Sequence, residues 1–125
     1  MIQRSHPNLG VSGTIEGPDD PATNMRLTLE LLETCPDLRG IYNVGGSSEG
    51  IGLALQRAGR AGQVRLIGHG LSSGTRRMLQ DGTIMAVFTQ RTQKLLEVML
   101  DQLHTPTLPS LLPMQIVFPT NLPAE

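Results

Sequence analysis

Leu38-Arg-Gly-Ile-Tyr-Asn-Val44, Gly45-Gly-Ser-Ser48 and Glu49-Gly-Ile-Gly-Leu-Ala-Leu55 follow one another without a break, and the change of rhythm between them decides the fold. The first piece is short and carries Ile41, Tyr42 and Val44, which suits a strand. The second is punctuation that turns the chain. The third, with Ala58 beyond it, puts Ile51, Ala54, Leu55 and Ala58 on one helical face until Gly59 stops it. Strand, tight turn and helix in that order form half of a β-α-β unit.

The same rhythm runs outward in both directions. Downstream, Val64 to Gly68 reads as a strand. Ser72 or Ser73 can cap a short helix carrying Met78 and Leu79, ended by Gly82. Thr83 to Thr89 reads as a strand, and Arg91 to Leu103 as a helix with Leu95, Leu96, Met99 and Leu103 turned inward. His104 to Pro113 is a Pro-rich connection, and Met114 to Phe118 is a last strand. Upstream, Leu9 to Ile15 reads as the first strand and Glu16 to Asp20 as a loop. Asp20 can cap a helix that starts at Pro21, where a missing N–H costs nothing. Ala22, Met25, Leu29 and Leu32 form its face, and Pro36 ends it. The sum, β-α-β-α-β-α-β-α-β, predicts an α/β fold with a parallel sheet and helices on both faces, a Rossmann-like lobe.

Composition sets limits on function. The 125 residues fit one domain with one core, and 10 basic residues against 11 acidic leave a net charge of -1. No basic run offers a nucleic-acid face, and no apolar stretch approaches the length of a membrane span. Cys35 is the single cysteine, so it makes neither an internal disulfide nor a zinc site by itself. Tyr42, Phe88 and Phe118 are the only aromatic residues, so the core is expected to be aliphatic. The opening stub Ile2-Gln-Arg-Ser-His-Pro7 is polar and unlike a signal peptide. The expectation is a cytoplasmic protein, with this chain a piece of a longer one.

In an open parallel sheet, ligands sit beyond the carboxyl ends of the strands. Here those ends are Glu16 to Asp20, Asn43 to Ser48, His69 to Ser73 and Thr89 to Thr92. Gly45-Gly-Ser-Ser-Glu-Gly-Ile-Gly52 is similar to the glycine motif of short-chain dehydrogenases, whose backbone N–H groups face a nicotinamide dinucleotide. Two departures stand beside it. The next strand ends Gly68-His69-Gly70, with no carboxylate for a ribose, and the Tyr-x-x-x-Lys pair of that family is absent. A tight turn with close helix–strand packing explains the same glycines. His69 can be a surface histidine or a ligand contact. Asp19 is free to reach a hydroxyl or to stay solvated, while Asp20 is expected to cap. Gln90 offers an amide donor and acceptor, suited to a sugar-type hydroxyl, or marks a helix entry. Asn43 is disfavoured in a strand, which points to a side-chain task. Ser47, Ser48, Ser72 and Ser73 read as caps, and Arg76 and Arg77 as a solvated face that could meet an anion. His6, His69 and His104 lack metal-ligand spacing.

Three stretches in succession resemble the ligand-sensing domain of the LacI/GalR family of bacterial transcription regulators, which has the type I periplasmic binding protein fold. They are Pro36-Asp-Leu-Arg-Gly-Ile-Tyr-Asn-Val-Gly-Gly-Ser-Ser-Glu-Gly-Ile-Gly-Leu-Ala-Leu55, Val64-Arg-Leu-Ile-Gly-His-Gly-Leu71 and Thr75-Arg-Arg-Met-Leu-Gln-Asp-Gly-Thr-Ile-Met-Ala-Val-Phe-Thr-Gln90. The resemblance runs from about Leu9 to Leu122. It implies a non-enzymatic sensor, without cofactor or metal, that closes two lobes on a sugar or related small molecule. This chain would be mainly the C-terminal lobe, a single lobe over residues 1–125. Operator DNA would be reached only through a headpiece that this chain does not include. Residues 91–118 would pack on the other lobe or on a neighbouring chain, so self-association is expected. Of the family's ligand contacts, Gln90 matches the crossover position, and Asp19 lies in the loop after the first strand. The family's Asn-Asp pair is replaced by Val44-Gly45, and its acidic residue after the third strand is absent from Gly68-His69-Gly70. Asn43 and His69 stand as substitutes. A periplasmic solute-binding component of a sugar transporter shares the fold and is the alternative. A nicotinamide-dependent oxidoreductase fragment is a further one.

Overall fold

The structure, a computed structural model, describes residues 2–105 and 112–124. In chain order the elements are α1 (Ile2–Ser5), α2 (Pro21–Thr34), β1 (Gly40–Tyr42), α3 (Ser48–Arg57), β2 (Arg65–His69), α4 (Ser73–Gln80), β3 (Ala86–Thr89), α5 (Thr92–His104) and β4 (Gln115–Val117), followed by a 3-10 turn, Pro119–Asn121. The four strands form one sheet in the order β1-β2-β3-β4. β1, β2 and β3 run parallel. The α/β class and the strand–helix alternation from Gly40 onward therefore stand as read.

Helix starts follow local chemistry. Asp20 caps α2, its Oδ2 accepting from the Thr23 N–H at 2.7 Å, and Pro21 takes the first turn. This bond, first to Thr23 and then to neighbouring N–H groups, holds the Asp20 carboxyl below its ordinary value. Ser72 and Thr75 form a reciprocal capping box on α4. Arg76, read as a solvated or anion-facing side chain, donates to the Pro123 carbonyl at 2.6 Å.

Side chains alternate across the sheet, so register assigns its two faces. Ile41 lies beside Leu66, Gly68 beside Val87, and Val87 in turn beside Val117. Leu66, Val87 and Val117 join Leu32, Ile51, Leu55, Val64, Met78, Leu79 and Ile84 in one core under the helices. α3 packs between α2 and α4, so these three helices form one layer. Glycines permit two close approaches. A Cβ at Gly50 would overlap the Pro21 carbonyl, and one at Gly68 would lie 2.5 Å from the Ser48 hydroxyl. On the other face lie Tyr42, Ile67 and Ala86 in one row, and His69, Phe88 and Ile116 in the next.

Four readings are corrected. Leu9 to Ile15 forms no strand; Leu9, Val11 and Ile15 are exposed. A strand exists only where a neighbour takes its backbone groups, and the edge of β1 is not joined to this segment. On α2, Ala22 is exposed, and Thr28 and Leu32 are the buried residues; the Thr28 hydroxyl is accommodated by donating to the Asn24 carbonyl at 2.7 Å. β4 pairs antiparallel with β3, so the sheet is parallel except at that edge, a common arrangement in large α/β sheets. Finally, α5 buries no residue. Leu95 is half-buried, while Leu96, Met99, Leu100 and Leu103 are exposed. Its apolar face is real, but no element described covers it. The expected connection from His104 to Pro113 falls largely on 106–111, outside the described residues. No helix among the described residues is long and apolar enough to cross a membrane.

Candidate functional site

The turns at the carboxyl ends of β1, β2 and β3 lie along one rim, and hydrogen bonds tie the first two together. Asn43 follows β1 and turns its amide back into its own loop, donating to the Gly45 and Gly46 carbonyls at 3.0 Å each and to Ser48 Oγ at 2.9 Å. Ser47 caps α3 with a left-handed backbone, φ 56°, and without a side-chain cap bond. Such a φ is strained for a side chain, and the fan of bonds from Asn43 offsets that strain. Asn24 of α2 adds longer donations to the Gly46 and Ser47 carbonyls.

Asp19 reaches this turn from the loop before α2. Its Oδ1 accepts from the Gly46 N–H at 2.9 Å. The glycine-rich turn thus already receives a carboxylate, and a dinucleotide diphosphate would meet negative charge there. The other Asp19 oxygen is left as an acceptor on an exposed residue. Asp19 and Asn43 are therefore brought to one turn by the fold.

The next station along the rim is the β2–α4 turn. Ser72 Oγ donates to Glu49 Oε1, and a Cβ at Gly74 would lie 2.6 Å from the Glu49 side chain. Glu49 thereby sits at the N-terminus of α4, where a negative charge is favoured. Gly70 has φ 80° and donates its N–H to the Phe88 carbonyl at 2.9 Å. His69 ends β2, but its ring lies on the face away from α3. It meets Tyr42 Oη through Nε2 at 2.9 Å and stacks on Phe88 with centroids 5.4 Å apart. Tyr42 also meets Phe88 edge-on, centroids 6.2 Å apart. Gln90 follows β3 at the third station and is exposed.

Asp19, Asn43, His69 and Gln90 thus occupy the ends of three adjacent strands and the loop facing them, although His69 turns to the opposite face from the Asn43 turn. Sequence reading missed Asn24, Glu49 and the Tyr42–His69–Phe88 cluster. The available signal for the cluster was that two of three aromatics end parallel strands beside a histidine. Seeing it required the register. Among the described residues no group of three or more His, Cys, Asp or Glu side chains could hold a metal ion.

The sequence profile of the periplasmic binding protein domain matches residues 1–105. No curated protein matches the chain. Among solved structures, the sugar-binding protein of a sugar ABC transporter from Bacillus halodurans superposes with TM-score 0.78 at 23% identity, over 96% of this chain and 47% of that one. An ABC transporter solute-binding protein from Agrobacterium vitis with bound D-fucose gives TM-score 0.78 at 23% identity, over 94% and 43%. A carbohydrate transporter solute-binding protein from Agrobacterium radiobacter, in complex with D-arabinose, gives TM-score 0.80 at 16% identity, over 96% and 43%. The chain spans a little under half the length of these structures.

Proposed function

Since the chain belongs to the periplasmic binding protein domain family, we propose that it is one lobe of a carbohydrate-binding protein that holds its ligand without transforming it. The observation that carries this reading is the rim itself. Asn43 and Gln90 follow β1 and β3 on either side of β2, and Asp19 reaches the same rim from the loop before α2, so a carboxylate and two amides stand at the carboxyl-end rim of the parallel strands, where this sheet architecture binds ligands. Carboxylates and amides are the groups that pair with the donor and acceptor functions of sugar hydroxyls. The neighbouring structures with D-fucose and D-arabinose support the ligand class.

The finer reading is the solute-binding component of a sugar ABC transporter, acting outside the cytoplasm and closing two lobes on a monosaccharide. The names of the solved neighbours support it. A second reading, a cytoplasmic LacI/GalR-type regulator, rests on the three consecutive stretches from Pro36 to Gln90. In both, the other lobe completes the cleft, so this lobe by itself binds weakly. Calorimetry with a panel of aldoses tests the shared claim. The two-lobed protein should bind at least one aldose at micromolar concentration and the 125-residue chain none; silence from the two-lobed protein overturns it. Export of the native protein in a fractionation experiment selects the transporter, and sugar-sensitive retention of operator DNA selects the regulator.

A further inference from the structure

Two turns on the rim open helices, and each already holds a carboxylate of the chain's own. At the turn before α3, Asp19 accepts from the Gly46 N–H at 2.9 Å. At the turn before α4, Glu49 accepts from the Ser72 hydroxyl. Resting on the carbohydrate-binding reading of this rim, we propose that Glu49 is a specificity-determining residue: its carboxylate fills the anion position at the start of α4 and turns away sugars that carry a negative charge.

The position of the charge comes first. The opening N–H groups of a helix have no acceptor within it, and such an end receives the phosphate or carboxylate of a ligand. In α4 the Thr75 N–H is taken by Ser72 Oγ at 3.1 Å, which leaves those of Ser73 and Gly74 at the first two helical positions. Glu49 stands at that end. A Cβ at Gly74 would lie 2.7 Å from Glu49 Oε1, so the carboxylate comes this close because the second helical residue is glycine. The spare oxygen comes next. Glu49 is half-buried, Ser72 engages Oε1, and Oε2 has no hydrogen-bond partner among the described residues. An ionised carboxylate only accepts, so Oε2 suits a sugar hydroxyl and repels an anion. Last is the local balance of charge. Asp19, Asp20 and Glu49 stand along this rim against Arg91, the exposed residue after Gln90, whereas the whole chain carries only -1. A cleft lined mainly by one sign of charge lowers the local concentration of ligands of that sign.

Calorimetry of the two-lobed protein tests the proposal. The aldose that binds is compared with its charged derivative: D-galactose with D-galacturonate for a hexose, D-arabinose with D-arabinose 5-phosphate for a pentose. For a hexose the neutral uronamide, which matches the uronate in size, separates charge from bulk. The charged sugar should bind at least a hundredfold more weakly than the neutral one. Glu49→Gln keeps an acceptor for Ser72 and removes the charge, and should narrow that gap at least tenfold. Glu49→Ala, which removes the charge and adds no new group, should narrow it too. A carboxylate that only held α4 in place would weaken neutral and charged sugars alike and leave their ratio unchanged. Such an unchanged ratio in both variants, or a wild-type protein that binds the charged sugar as tightly as the neutral one, overturns the role of Glu49 while the carbohydrate-binding reading stands. Silence toward every aldose removes both.

Discussion

Asp19 and Gly46 are joined by a 2.9 Å hydrogen bond from the Gly46 N–H to Asp19 Oδ1 that spans 27 residues of sequence. It fixes the loop before α2 against the turn before α3 and so shapes the end of the rim where both candidate polar groups stand. Asp19→Ala should weaken monosaccharide binding by the two-lobed protein about tenfold or more. A Cβ at Gly45 would come within 2.5 Å of the same oxygen, so Gly45→Ala should displace Asp19 and copy the effect. The double variant should bind no worse than the worse single one, because both changes break one arrangement. Calorimetric titration of the four proteins checks this, and full additivity would contradict it.

Two glycines of α3 make a contrasting pair. At Gly50 an added methyl meets the Pro21 backbone, which cannot move without lifting α2. At Gly52 it meets the Met78 side chain, which can swing away. Gly50→Ala should cost about 2 to 3 kcal/mol and Gly52→Ala about 1 kcal/mol or less. Urea unfolding monitored by circular dichroism measures both.

Leu55 and Leu79 are fully buried in the cluster between sheet and helices. Truncating either to alanine should cost about 2 to 5 kcal/mol. The same truncation at Leu103, 79% exposed, should leave the stability of a single chain almost unchanged. Denaturation at concentrations low enough to hold the chain monomeric separates the two outcomes.

Asp20 links the start of α2 to pH. Its bonds to Thr23 lower its pKa in the folded state from the ordinary 3.8. The stability it contributes is present above that ordinary value and is lost as pH falls through the lower folded value. Asp20→Ala should therefore melt below the wild type at pH 7, and the gap should close as pH falls below 3.8. Asp20→Ser, which keeps a capping oxygen, should retain most of the melting temperature at every pH.

Much of this architecture is legible in the order of residues, and the failures have physical causes. The β-α alternation from Gly40 to Thr89 follows from local periodicity and from caps such as Asp20 and Ser72, whose bonds lie within one helical turn. Leu9 to Ile15 carries a strand-like pattern, but a strand needs a neighbour, and sequence does not say whether one is present. The inward face of α5 failed for the same reason, since a stripe announces that a cover is wanted and does not supply it. The ends of the strands could be marked out by the general placement of ligands in wound sheets. That brought Asp19 and Asn43 to one turn, yet gave no hint that Asn24 joins them. Parity along the strands put His69 on a different face from the turn, and parity becomes visible only with the register between β1, β2 and β3.

β4 returns antiparallel to β3, with Gln115 beside Thr89. The chain therefore leaves the sheet and re-enters it at neighbouring points, as a hairpin does. What is threaded between those two points beyond Gln90 can be lengthened or exchanged without cutting the ladder. Thr89 and Gln115 thus mark a natural splice junction, where evolution or an engineer could graft a foreign module onto an otherwise intact scaffold.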